Sequence, residues 1–245
     1  MEHSEEIYYI DSLALEAPFL LGQYLNTLLF EYETAPVFLC IGSDRVTGDA
    51  LGPLVGSRLA QYEAHPPCGS KKTGIEVYGT LALPVHALNL NEILHHIREY
   101  HPDNPVVAID ASLGVRDHVG YLTVGKGSLS PGAGVNKNLA NAGDIFITGI
   151  VGPAGPFSHF TLQTTRLSTV ISMAETITKG ILVQRSVSPS SPVTNQSREV
   201  FSPVRRSAPA PSGTCSDSPA EASDSLEWLS QNNSPLSRRL RSIYR

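Results

Sequence analysis

From residue 36 to about residue 182, short apolar runs alternate with longer stretches whose apolar residues recur every three or four positions. No other feature constrains the fold as much. A run that is apolar on both faces belongs in the interior of a sheet, and a one-sided stripe belongs on a covering helix. Pro36-Val-Phe-Leu-Cys-Ile41, closed by Gly42, is the first such run. Ile75-Glu-Val-Tyr78 is the second, and Val106-Val-Ala-Ile109, ending at Asp110, is the third. Residues 120–124 alternate like a fourth strand, and Asp144-Ile-Phe-Ile-Thr148 reads as a fifth. Between them, 52–64 carries Leu54, Val55, Leu59 and Tyr62 on one side, and 88–100 carries Leu90, Ile93, Leu94 and Ile97. One long helix is expected over 160–182. Strands alternating with helices predict an α/β, three-layer sandwich with a mostly parallel sheet.

The flanks differ from this pattern. Residues 1–35 read as an N-terminal helical extension, with Leu13, Phe19, Leu20, Tyr24, Leu25, Leu28 and Leu29 at helical spacing and Pro18 near the start. Residues 36–185 form the α/β domain. Over 186–245, Ser and Pro supply more than a third of the positions and large apolar groups are few, so a disordered tail is expected. It ends in the basic Ser237-Arg-Arg-Leu-Arg-Ser-Ile-Tyr-Arg245.

The net charge of -5 argues against a chain built to coat nucleic acid, which needs a basic field. Cys40, Cys68 and Cys215 are far apart and lack finger spacing, which suits reduced thiols rather than a structural zinc. The start, Met-Glu-His-Ser-Glu-Glu, is acidic, unlike a signal peptide. The apolar stretch 17–30 contains Gln23 and Asn26 and is shorter than the ~20 residues of a membrane span. These features predict a soluble, cytoplasmic protein without membrane or nucleic-acid partners.

In an open α/β sheet, ligands bind beyond the carboxyl ends of the strands. Here the first strand runs into Gly42-Ser-Asp44-Arg-Val-Thr-Gly-Asp49-Ala-Leu-Gly52-Pro53, and the third ends at Asp110. If the two strands are neighbours, Asp49 and Asp110 share one crevice, with Asp44 close by as a candidate for binding substrate. Such carboxylates either share a proton for acid–base work on water or ligate a divalent metal. Each also has a structural alternative: Asp49 as a helix cap, Asp44 as a turn stabiliser, Asp110 as a cap for the next segment. The glycines do not follow GxGxxG, and Asp49 occupies the Lys position of a phosphate loop, which argues against nucleotide binding. A second glycine-rich loop follows the fourth strand. Its Gly132, Gly134, Asn136 and Lys137 are candidates for holding a substrate backbone or stabilising an oxyanion, with a plain connecting turn as the structural alternative. No nucleophile elbow or cofactor motif is present. Among eight histidines, the adjacent His95 and His96 diverge on their helix, and neither His86 nor His159 stands out from a packing or surface residue.

The segment Leu39-Cys-Ile-Gly-Ser-Asp-Arg-Val-Thr-Gly-Asp-Ala-Leu-Gly-Pro-Leu-Val-Gly56 resembles the signature of the sporulation-associated YyaC-type spore proteases. Further matching blocks are Val77–Thr80, Pro84–Leu90, Ala108–Ala111, Pro131–Lys137, Gly143–Val151 and Leu162–Leu167, in collinear order from 36 to 182. That family is similar to the germination protease that degrades small acid-soluble spore proteins, and to the hydrogenase-maturation endopeptidases. The resemblance implies a phosphorylase/hydrolase-like α/β fold and peptidase activity on a sporulation protein. It places the catalytic aspartates of the germination protease on Asp49 and Asp110. The maturation endopeptidases bind metal through an acid, an Asp and a later His. No His occurs in 128–141, where the third ligand is expected, so a metal-free aspartate pair without cofactor is the expectation. A non-catalytic partner-binding protein of this fold, and a metal-dependent peptidase with His118 or His159 brought back by the fold, are the alternatives.

Overall fold

The protein is described by a computed structural model covering residues 7–66, 73–131 and 140–186. The expected tail over 186–245 lies outside the described residues apart from Ser186, which ends the last helix. So do Cys68 and Cys215, while Cys40 is a buried free thiol.

Six strands form one sheet: β1 (Ile7–Asp11), β2 (Val37–Cys40), β3 (Glu76–Tyr78), β4 (Val106–Gly114), β5 (Tyr121–Lys126) and β6 (Ile145–Pro153). Their spatial order is β1-β5-β6-β4-β2-β3. The pairs β2–β3, β2–β4 and β4–β6 are parallel, and β5 runs antiparallel to both β6 and β1. The helices are α1 (Ala17–Leu29), α2 (Leu51–Ala64), α3 (Leu90–Tyr100), α4 (Ser158–Thr164) and α5 (Leu167–Ser186).

The two-residue alternation of β2 divides the core in two. Phe38 and Cys40 point into a cluster with Leu21 and Leu25 of α1, Val55 and Leu59 of α2, and Met173 and Ile177 of α5. Val37 and Leu39, with Ile41 just beyond the strand, point the other way, into a cluster with Leu90, Ile93 and Ile97 of α3. Helices on both faces of the sheet make three layers, the α/β sandwich that the alternating pattern predicts.

Three elements differ from the sequence expectation. Ile7–Asp11 is an edge strand paired with β5, so the N-terminal region supplies a strand as well as a helix. Tyr8 of that strand stacks on Tyr24 of α1 with ring centroids 4.0 Å apart, and α1 buries Leu21 and Leu25 completely. The expected long helix over 160–182 is two helices. Thr165 takes an extended ψ of 138° and separates α4, whose Leu162 backs onto Gly48, from α5, which packs along α1 and α2. The third strand does not stop at Asp110. Pairing with β6 carries β4 on to Gly114, past the point where β2 leaves it.

The α1–α5 crossing predicts that Leu25→Ala, a fully buried truncation, lowers unfolding free energy by about 2–5 kcal/mol. Urea denaturation checks this; a loss under about 1 kcal/mol would mean that α1 is a loose appendage.

Candidate active site

The crevice is created by the divergence of β2 from β4. The last ladder bond between them is Ile41 N–H to the Ile109 carbonyl, at 2.7 Å. Gly42 then turns away at φ 138° and donates its amide to the Val85 carbonyl (2.8 Å). The chain continues through a 3-10 turn, Thr47–Ala50, into α2. Glycine is required here by close approach: a Cβ on Gly42 would strike the Asp49 carbonyl, and one on Gly52 would strike the Ile41 carbonyl. These glycines fold the loop back onto the strand end rather than open a phosphate cradle.

The loop carries Asp49 to the mouth of the crevice, and β4 carries Asp110 to its floor. Asp49 does not cap α2, which begins without any side-chain cap bond. Its pKa is raised by burial, and the Ser43 amide and the nearby His86 imidazole pull it partly back. Asp110 is buried (9% exposed), and its carboxylate accepts the Ala111 N–H at 2.7 Å. Its pKa is raised well above the ordinary value, first by burial and then by the charge of Asp49, against the Ala111 bond. The two carboxyls therefore feel each other in a poorly solvated space. Two ionised carboxylates there repel, and of the two Asp110 is held the more strongly toward its protonated form.

Of the other sequence candidates, Asp44 is exposed in the same loop and takes no part in the electrostatics of either carboxyl. The turn it sits in is held by Ser43, whose Oγ accepts the Arg45 amide at 3.3 Å. Gly132, Gly134, Asn136 and Lys137 lie outside the described residues. Their loop is clamped at its base by a bridge between Leu129 and Ala142, and by Ser130 Oγ donating to Asn141 Oδ1 at 2.8 Å. His118 sits against the rings of Tyr9 and Tyr121 at the β1–β5 edge, and His159 is exposed on α4. Among the described residues, no group of three or more His, Cys, Asp or Glu side chains is arranged to hold a metal ion.

The residue that sequence reasoning passed over is His86. A parallel bridge between Ile41 and Val85 sets the segment 84–89 beside the Gly42 loop. The imidazole is oriented locally. Its Nδ1 accepts the Leu88 amide (3.3 Å), its own amide donates to Asn89 Oδ1 (2.8 Å), and the buried Asn89 donates to the Pro84 carbonyl (3.1 Å). An accepting Nδ1 leaves Nε2 as the proton-bearing nitrogen. The available signal was the sequence Pro84-Val-His-Ala-Leu-Asn89, in which a short turn ending in Asn follows an apolar residue. Only the tertiary bridge gives it a place at the site.

Fold and site together define a class: a three-layer α/β protein with one buried and one half-buried carboxyl where two parallel strands part. Within that class, residues 7–180 match the family described as "Protein of unknown function (DUF1256)", and the chain belongs to that family. It is similar to "Uncharacterized protein YyaC" of Bacillus subtilis (strain 168), with 45% identity over 145 residues, 59% of this chain and 67% of the relative. Membership of the YyaC-type family, which the sequence blocks implied, is thereby shown. Among the described residues, no helix is long and apolar enough to cross a membrane.

The raised pKa of Asp110 carries a sign for stability. The folded chain holds a proton that the unfolded chain releases near pH 3.9, so the associated stability is complete below that pH and is lost as pH rises through the folded value. Asp110→Asn cannot ionise and escapes this loss. It is expected to melt higher than wild type at pH 7, by about 2–4 °C for each kcal/mol relieved in a chain of this size. The two curves should converge near pH 3.5, below the ordinary aspartate value. Coincident melting at both pH values would show that Asp110 is ordinarily ionised.

Proposed function

We propose that the chain is an endopeptidase in which Asp49 and Asp110 activate water for hydrolysis of a peptide bond. The observation that carries the reading is the pairing itself: the charge of Asp49 raises the pKa of Asp110, burial raises both, and among the described residues neither caps a helix or joins an ion pair. Two carboxyls sharing one proton supply a base and an acid at the same pH.

In this mechanism the Asp49 carboxylate takes a proton from water as the water oxygen bonds to the carbonyl carbon. Protonated Asp110 gives its proton to the carbonyl oxygen, which becomes a hydroxyl. The tetrahedral adduct collapses as Asp49 returns its proton to the departing nitrogen, the C–N bond breaks, and the hydroxyl proton goes back to Asp110. Water is consumed, one acid and one amine are formed, and both carboxyls end as they began. His86, near Asp49, favours the ionised form of that carboxyl.

The substrate we propose is a sporulation protein, with the small acid-soluble spore proteins as the first choice, inside a sporulating cell or spore. The support for this choice is the sequence resemblance to the spore proteases. The Gly132–Lys137 loop is proposed to hold the substrate backbone, and no cofactor is invoked.

The test is cleavage of a small acid-soluble spore protein mixture by wild type, Asp49→Asn and Asp110→Asn, with and without chelator. Wild type should cleave, with a bell-shaped pH profile that falls when both carboxyls are protonated and when both are ionised. Either Asn variant should lose at least 100-fold in kcat, since each removes a proton-transfer partner. Chelator should change nothing. Full activity in both variants sinks the reading, and chelator-sensitive cleavage replaces it with a metallopeptidase.

A further inference from the structure

We infer that the open edge of β4 beside Asp110 is the binding site for substrate, and that it takes an extended polypeptide as an added parallel or antiparallel strand. The inference rests on the peptidase reading and specifies how that site holds its substrate.

In β4 the N–H and C=O of successive residues point to alternate sides. Ile109 uses its carbonyl toward β2, where it accepts the Ile41 amide. Gly114, five residues on, points toward β6 and accepts the Ala154 amide. Residues 109, 111 and 113 therefore face away from β6. β2 leaves at Gly42, and among the described residues no strand runs beside β4 past that point on this side. The Ala111 amide is held by the Asp110 carboxylate. Among the described residues, the Ala111 carbonyl and the Leu113 amide and carbonyl remain as one ladder's worth of backbone groups. Residues 111–114 are half-buried rather than sealed.

Open edges of this kind are normally short, charged or covered, because they recruit any passing strand. This edge instead lies inside a crevice, with Asp110 at its start and the 3-10 turn bearing Asp49 alongside. A chain added as a strand lies about 4.8 Å from β4. Main-chain bonds to Ala111 and Leu113 fix its register by backbone alone, as in other strand-addition sites. A peptide carbonyl of that strand then passes between the two carboxyls. The occupant is an unfolded or extended segment, because a helix has no free backbone groups to offer.

The test uses Leu113, whose amide has no partner among the described residues on this edge. Leu113→Pro removes that amide, which a proline can do on an unpaired edge, and Leu113→Ala removes the same side chain but keeps the amide. With the spore-protein mixture as probe, Leu113→Pro should raise KM about five- to tenfold over Leu113→Ala, with kcat within twofold. Amide exchange at Leu113 is read in the Asp49→Asn chain, which binds without turnover, and should slow at least tenfold when the probe is added. Unchanged exchange at Leu113 overturns the proposal whatever the KM values. If wild type cleaves nothing, the peptidase reading fails, and the exchange measurement still decides whether a polypeptide occupies the edge.

Discussion

The mutual repulsion of Asp49 and Asp110 in a poorly solvated crevice is the constraint around which the rest of the site is organised. Neither carboxyl would choose this place on its own account. Burial opposes ionisation of each, and the charge of Asp49 opposes it further for Asp110. The fold holds them there by strong local means. Gly42 and Gly52 allow the loop to lie against the strand end, and the Ile41–Val85 bridge brings His86 up to Asp49. The large two-sided core beneath the crevice supplies the stability that such an arrangement spends. Strained or poorly solvated groups persist where the surroundings over-determine them, and they concentrate at functional sites.

The strand divergence has two consequences that belong together. It opens the space in which the carboxyls meet, and it leaves β4 with an unpaired edge at the same place. A longer β2 would close both. The continuation of β4 to Gly114 depends on β6, which pairs with it through Pro153 and absorbs a register shift between Ser112 and Leu113. The polar side chains of this stretch are themselves tied into the sheet: Ser112 Oγ donates to Thr148 Oγ1 at 3.0 Å, and Thr148 bonds Thr123 at 2.7 Å. The edge is thus carried by a hydrogen-bonded two-strand extension.

Much of this was legible in the chain. The interior strands β2 and β4 are apolar on both faces, so Val37–Cys40 and the start of β4 could be read directly, and the helices α2 and α3 followed from their stripes. The coexistence of Asp49 and Asp110 in one crevice needed only that β2 and β4 be neighbours. What was not legible is tertiary in origin. Ile7–Asp11 has too few residues and too weak an alternation to announce an edge strand, and it is fixed by β5 and by Tyr24. The break at Thr165, whose ψ of 138° leaves the helical region, has no signal in the apolar spacing, since Leu162 and α5 pack on the same core. The length of β4 past Asp110 is set by β6 and not by its own apolar residues. His86 looks like any surface histidine until the bridge at Val85 is known.

The central claim is that Asp49 and Asp110 titrate as one coupled pair. The most direct measurement is a pH titration of the two side-chain carboxyl carbons by NMR, with Asp110→Asn used for assignment. The account predicts that both resonances respond in two shared steps, the upper one well above the ordinary aspartate value of about 3.9, and that Asp110→Asn collapses them to a single step at Asp49. Independent titration of each carboxyl near 3.9, unchanged by substitution of the other, would contradict it.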